Sequence, residues 1–412
     1  KDGLKIQTGR VGDHSYSTID KHVDDEIASI ARVSKTFTIS MVKSAVGSMD
    51  AKGLPILHEY HLTKNVKSGP KMALVDPYVK TFQYIPHLGA LDADATPSMV
   101  SFMKPIVDGA YCPAICKNND VRAVAKRVTE LVAKPIAFTP FLLRVMEEFA
   151  ECFAKGLGLK RLYPVEIPEV YTRQARPTQQ RILENAEYEI GDNKSSTFVK
   201  REAYMTPNDP RIISQINGPD KRDYSRYMYA LSDYMKTMEW YASGRSNKDI
   251  AERISNVCSS ALFVNMTDFS RMDGRITEVA RQLERLLMTR VFDVACHAEM
   301  LRLMKKQFNL RGCTKLGVKY NTGTARLSGS PETSPFNVIV NAFVAFLAMR
   351  MEHALPEDSW SGLGVYMGDD GVTANVSKKI YEKAAAAVGQ VLTADVVKRG
   401  EIGVNFLSRR YG

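Results

Sequence analysis

The sequence has no cysteines at the paired short spacing of a zinc site, no internal repeat, no low-complexity linker and no uninterrupted apolar run of bilayer length. Its six cysteines, Cys112, Cys116, Cys152, Cys258, Cys296 and Cys313, are scattered. Cys112 and Cys116 stand four apart with no second pair to complete a zinc site. Reduced thiols in an intracellular protein are therefore expected. The most apolar stretch, residues 336–349, is interrupted by Asn337 and Asn341. It falls short of the roughly 20 apolar residues that span a membrane. No signal peptide is visible. The chain opens on Lys1, so a fragment with targeting elements outside it is expected.

What is present is a chain of 412 residues, long enough to bury a large core shared by two or three subdomains. Hydrophobic content of 44% and charged content of 25% sit near the globular average, so no segment reads as disordered. Lysine and arginine total 56 against 46 acidic residues, a formal net charge of +10. That excess suits a polyanionic partner such as nucleic acid, because neutralised phosphates release counterions. Charge alone does not single that partner out.

Along the chain, residues 1–110 read as irregular, with one amphipathic piece over 36–46. Helices are predicted over 119–132, capped by Asn119 or Asp120, and over 141–154, with Leu142, Leu143, Val145, Met146 and Phe149 on the apolar side. Residues 164–225 concentrate proline and basic side chains, and 224–241 returns to helix. A buried strand is predicted over 261–266, running to Asp268. A helical stretch broken once follows over 276–308, then a strand over 316–320, a small-residue loop over 321–330 and a helix over 337–350 with one apolar face. Residues 365–376 read as strand, tight turn and strand, because Gly368 and Gly371 flank Asp369 and Asp370. A helix over 378–387 and strands over 391–397 and 403–407 complete one mixed sheet backed by helices.

Three sets of residues could carry chemistry. Asp268 ends a buried strand, where a charge is costly unless paired or metal-bound, and Asp273 follows five positions on. Asp268 also reads as a cap for the helix near Ile276. Asp369 and Asp370 are adjacent carboxylates at a turn, which repel one another unless a cation sits beside them. A solvated Asp-Gly turn is the plainer reading. Together, one strand-end carboxylate and two on a neighbouring hairpin can converge on two Mg²⁺ ions about 3.5–4 Å apart, the arrangement for in-line phosphoryl transfer. Between them, residues 328–337 form a Ser/Thr-rich loop leading into a helix, able to hydrogen-bond a ribose or a nucleic-acid backbone. It reads equally as ordinary loop and capping chemistry.

The order Asp268-x4-Asp273, Ser328-Gly-x3-Thr333-x3-Asn337 and Gly368-Asp369-Asp370 resembles motifs A, B and C of viral RNA-dependent RNA polymerases. Residues 198–212 resemble the basic motif F, Arg176-Pro-Thr178 resembles the template-entry motif G, and residues 403–409 resemble motif E. The wording over residues 105–412 is similar to nodavirus replicases.

That resemblance implies an α/β (α+β) right-hand polymerase with most of the thumb absent. Residues 105–250 would be fingers, 251–412 palm with a fingers insertion near 290–326, and 1–104 an N-terminal extension. It implies that Asp268, Asp369 and Asp370 bind two Mg²⁺ or Mn²⁺ ions. Asp273 and Asn337 would sense the ribose 2′-hydroxyl, and Ser328, Gly329 and Thr333 would hold nucleotide and template. Lys200, Arg201 and Arg211 would contact the triphosphate. Arg176, Thr178 and Arg409 would touch template and primer. Lys398 would be the general acid for pyrophosphate, with Arg399 and Lys379 competing.

Implied partners are template and product RNA, NTPs, and other copies or regions of the replicase, including a membrane-anchored capping region. The implied location is a membrane-associated complex in the host cytoplasm, at the mitochondrial outer membrane. Three other readings stand beside this one. A reverse transcriptase would carry a bulky residue in place of Asp273. A non-catalytic RNA-binding scaffold would have no use for clustered carboxylates. A capping nucleotidyltransferase needs a nucleophile, which His58, His61 and His87 do not mark.

Overall fold

A computed structural model gives the fold and describes residues 27, 29–31, 36–46, 54–55, 58, 61–62, 99–101, 111–131, 136–200, 202, 204, 208–401 and 403–411. The backbone divides into two compact units: Lys1–Arg122 with Val199–Pro210, and Ala123–Phe198 with Arg211–Gly412. Most of residues 1–104 lie outside the described set.

In the first unit, helix α1 (Ile39–Val46) buries Val42, and β1 (Met99–Ser101) pairs antiparallel with β2 (Tyr111–Pro113). Helix α2 (Lys117–Arg127) starts two residues before the expected cap. Asn119 lies inside its first turn, and its side-chain amide donates to Ala114 O at 2.9 Å rather than capping the helix.

Helix α2 runs across the boundary at Ala123, and the second unit continues with α3 (Pro140–Ala154). Thr139 Oγ1 accepts the Leu142 N–H and Pro140 opens the first turn, the chemistry of a defined helix start. Leu142, Val145, Met146 and Phe149 are buried as the pattern predicts. Leu143 is exposed instead, because one residue along a helix turns away by about 100°. Helices α4 (Ile167–Arg173) and α5 (Pro177–Asn185) and strands β3 (Lys194–Val199) and β4 (Ile212–Gln215) occupy the basic region. Helix α6 (Gly218–Met235) starts before the expected residue 224, because Asn217 caps it by accepting the Asp220 N–H. Helix α7 (Asn247–Ser259) carries a reciprocal Ser246/Asp249 capping box.

Strand β5 (Phe263–Phe269) leads to α8 (Glu278–Val291) and α9 (His297–Lys305). A short 3₁₀ turn, Val294–Cys296, makes the single break between those helices. Strands β6 (Arg311–Thr314) and β7 (Lys319–Asn321) form a hairpin of which only the second strand is legible in the sequence. Helix α10 (Thr333–Met351), α11 (Pro356–Ser361), β8 (Val365–Met367), β9 (Asp370–Ala374), α12 (Lys378–Ala387), β10 (Leu392–Lys398), β11 (Val404–Phe406) and β12 (Arg409–Tyr411) complete the order.

Two four-stranded sheets result. One has the order β10-β5-β9-β8 and is antiparallel throughout. The other, β4-β3-β6-β7, contains the parallel pair β3–β6. The single mixed sheet expected from the sequence is thus two four-stranded sheets, and β3–β6 is a parallel pair within the second. Helix α10 also departs from expectation. It is apolar all round rather than on one face, and it packs against α3, α12 and the antiparallel sheet. By length and composition it could cross a membrane, yet 83% of that segment is buried in the protein. Phe343 and Phe346 meet Phe149 edge-on from α10, each with ring centroids 5.3 Å apart.

Candidate active site

Strand parity decides which side chains share a face. On β5, Val264, Met266 and Asp268 point one way and Asn265, Thr267 and Phe269 the other. On β9, Asp370, Val372 and Ala374 share a face. Val264 and Val372 belong to one apolar cluster with Val404 and Phe406 of β11, and Met266 and Ala374 pack against it. Asp268 and Asp370 continue that face beyond its apolar cover. The recorded pairing ends at Thr267–Gly371. Asp268 and Asp370 each lie one residue beyond that last pair, on the same face by strand parity. Asp369 occupies the turn between β8 and β9. The helix-cap reading of Asp268 fails, because Thr277 caps α8 with its own hydroxyl.

The electrostatics reflect this crowding. Burial, with the charges of Asp369 and Asp268 adding to it, pushes the Asp370 carboxyl up to about 6. Burial and then Asp369 also raise Asp268, against the Phe269 N–H and the Arg211 guanidinium, which lower it. Among the described residues, no group of three or more His, Cys, Asp or Glu side chains is placed so that it could hold a metal ion.

The aspartate turn is held by its neighbours. Gly368 has φ +63°, a left-handed conformation that glycine adopts without penalty. Gly371 is required for a different reason: a β-carbon there would lie 2.6 Å from Thr267 Oγ1 and 2.9 Å from Tyr366 Cδ1. From α10, the buried Asn341 donates through Nδ2 to Gly368 O (3.2 Å) and Asp370 O (3.0 Å), bracketing the turn. One helical turn earlier, Asn337 Nδ2 donates to Asp273 Oδ1 at 2.8 Å. Helix α10 thus presents two amides on one face, one to each aspartate-bearing segment. Burial raises the Asp273 carboxyl, while the Asn337 amide and Arg326 oppose the shift.

The loop before α10 is stitched to β4. Ser328 Oγ donates to Ile212 O (3.2 Å) and accepts the Ser214 N–H (3.2 Å), and Gly329 N donates to Ser214 O (2.9 Å). Thr333 Oγ1 donates to Leu327 O (2.7 Å), inside the loop itself. These hydroxyls therefore shape the loop. Through Ile212 they also fix the strand that Arg211 precedes, and Arg211 acts electrostatically on both Asp268 and Asp273.

The remaining expected residues fall elsewhere. Lys200 lies in the first unit, paired with Glu202 at 2.8 Å, and Arg201 lies outside the described residues. Arg176 precedes α5 and Thr178 sits in its first turn, both exposed. Arg409 is exposed at the start of β12. Lys398 is a correction. It pairs with Phe263, at the opposite end of β5 from Asp268. Five residues of strand span about 17 Å, far beyond the hydrogen-bond reach that proton transfer needs. Its competitors do no better: Lys379 lies in the first turn of α12, just past the far end of β9, and Arg399 donates to the carbonyls of Ser259 and Ala261.

Sequence reasoning passed over Asn341, which it read only as an interruption of an apolar run. Its spacing of four from Asn337 was the available signal. It also passed over Arg281, Glu284, Arg326 and Glu332, four buried charges behind Asn337.

No protein-family model matches the chain. It is 30% identical over 316 residues to the RNA-directed RNA polymerase of Greasy grouper nervous necrosis virus, covering 74% of this chain and 32% of that protein. It is 29% identical over 429 residues to the RNA-directed RNA polymerase of Flock house virus, covering 99% of this chain and 41% of that protein. The chain therefore spans 32–41% of the length of these relatives. In structure it resembles the RNA-dependent RNA polymerase of a human picorbirnavirus, with a TM-score of 0.58 at 12% identity, over 72% of this chain and 61% of that one.

Proposed function

Because this chain is related over most of its length to nodavirus RNA-directed RNA polymerases and has a viral polymerase fold, we propose that it carries the centre for template-directed RNA synthesis from NTPs. The observation that carries this reading is the convergence on α10. One face of that helix reaches both the Asp273 segment and the Gly-Asp-Asp turn, while Asp268 and Asp370 share a sheet face beside them.

The donor set fits a divalent cation. The three aspartates are hard oxygen ligands whose charges raise one another's carboxyls, and Mg²⁺ accepts one or two carboxylates plus substrate phosphates in place of an all-protein cage. Asp268 and Asp369, supported by Asp370, would hold Mg²⁺ or Mn²⁺. Two such ions, when bound, supply charge neutralisation at the attacking 3′-hydroxyl and the leaving pyrophosphate. Asp273 and Asn337 read the 2′-hydroxyl, a polar contact able to discriminate strongly. Arg211 would bind the triphosphate, the role the resemblance also gives Lys200 and Arg201, and Arg176, Thr178 and Arg409 would meet template and primer. The fingers and palm boundaries at 105–250 and 251–412 belong to the same reading. So does assembly with other replicase regions in a membrane-associated complex.

Incorporation of labelled NTPs on a primed RNA template tests it. Asp369→Ala abolishes incorporation while RNA binding persists, because phosphate contacts come mainly from basic residues. A wild-type chain that binds RNA but incorporates nothing with Mg²⁺ or Mn²⁺ is a scaffold, not a polymerase.

A further inference from the structure

Behind Asn337 lies a group of four buried charges that no step of the proposed reaction uses. Arg281 and Glu284 lie one turn apart on α8, Arg326 comes from the loop, and Glu332 stands at the N-terminus of α10. All four side chains are 3% exposed or less. Arg326 pairs with Glu284 and, at 2.9 Å, with Glu332. Arg281 reaches Glu332 at 2.6 Å and Glu284 at 3.1 Å. Two positive and two negative charges balance. Well-packed apolar residues often replace such a group without loss of stability, so stability alone gives no reason for it.

Arg326 also donates through Nε, and the direction of that bond supplies a reason. Arg326 Nε donates to Asn337 Oδ1 at 2.7 Å, and its backbone N–H donates to Asp273 O at 2.8 Å. One residue therefore grips both members of the Asp273–Asn337 pair. With Oδ1 held by the guanidinium, the amide turns Nδ2 toward Asp273 Oδ1. That leaves one amide N–H on Asn337 and the second oxygen of Asp273 uncommitted within the pair. A ribose 2′-hydroxyl both accepts and donates, so it complements those two groups. A 2′-deoxyribose complements neither.

We propose that Arg326, locked by Glu284 and Glu332, is a positioning residue for sugar selection: through Asn337 it sets the polarity with which the site reads the 2′-hydroxyl. This rests on the polymerase reading above. A lysine at 326 keeps the positive charge beside both glutamates but lacks the planar fork that reaches Asn337 at the same time.

The test is primer extension by the wild-type chain and Arg326→Lys, with kcat and KM measured separately for an NTP and its 2′-deoxy counterpart and with Tm recorded alongside. The expected result is a loss of roughly tenfold or more in NTP-over-dNTP preference, the size of one lost hydrogen bond to a charged group. The loss should fall on the ribonucleotide KM, and the dNTP constants should change little. In an Asn337→Ala background, Arg326→Lys should have no further effect on the preference. An unchanged preference, or an equal loss for both sugars, overturns the positioning role. If Arg326→Lys does not fold, Glu332→Gln, which loosens the same guanidinium, is measured identically, and an unchanged preference overturns the role there too. A wild-type chain that incorporates neither sugar overturns the polymerase reading itself, and this inference with it.

Discussion

Replacing Gly371 by alanine should damage activity far more than stability. The added β-carbon would lie 2.6 Å from Thr267 Oγ1, 2.9 Å from Tyr366 Cδ1 and 3.2 Å from Asn341 Oδ1. The tyrosine ring cannot easily retreat, because its hydroxyl is held by Thr373 Oγ1 (2.9 Å) and the Gly364 N–H (3.0 Å). Overpacking of this kind costs about 1–3 kcal/mol. At about 2.1 cal/mol/K of unfolding entropy per residue, 2 kcal/mol lowers the Tm of a chain this long by only about 2 °C. The strain is relieved by β9 moving away from β5, and Asp370 is the adjacent residue. Misplacing a reacting group by about 1 Å costs roughly a hundredfold in rate. Single-nucleotide incorporation and thermal unfolding, measured side by side, should show that contrast. Thr267→Ala removes the nearest clashing atom and should restore part of the lost rate. A Gly371→Ala protein with wild-type incorporation, or one whose defect Thr267→Ala leaves untouched, refutes the packing argument.

Asn341→Leu leaves the carbonyls of Gly368 and Asp370 without their donor. Incorporation should drop by about tenfold, one lost polar restraint, while NTP-over-dNTP preference stays unchanged; a shift in preference would show that the two amides of α10 do not act separately. The Asp370 carboxyl gives a pH signature in chelator. Burial raises it to about 6 from 3.8, so the folded chain holds this proton more tightly than the unfolded one. The group's contribution to stability is therefore present at low pH and is lost as pH rises through about 6. Tm of the wild type relative to Asp370→Asn should fall from pH 5 to 7 and then level off, and a flat difference across that range refutes the assignment.

Much of the antiparallel sheet was legible because its strands and turns carry local signals. The glycines around Asp369 and Asp370 mark a tight turn, and the run ending at Asp268 reads as a buried strand. The reason for Gly371 was not legible, since it lies in a side chain on another strand. The charges at Arg281, Glu284, Arg326 and Glu332 were invisible for a related reason. Separated along the chain, they read as helix-surface and loop residues until packing buries them together. Lys398 shows the opposite error. Nearness in sequence to the final strands suggested nearness to the aspartates, but antiparallel register carries it to the other end of β5. For α10 the sequence hid the burial rather than the helix, because two asparagines in an apolar run look like a polar face until each has a partner.

Helix α10 leaves the ribosome before the elements that cover it. At about 5–20 residues per second, synthesis takes roughly 2–7 s to run from Met351 to Ala387, the end of α12. Throughout that interval a 19-residue apolar cylinder of bilayer-spanning length has α3 to pack on, but neither the aspartate hairpin nor α12. A nascent chain paused there is a client for chaperones or a stray substrate for membrane insertion, and a gene truncated ahead of Lys378 should yield insoluble protein.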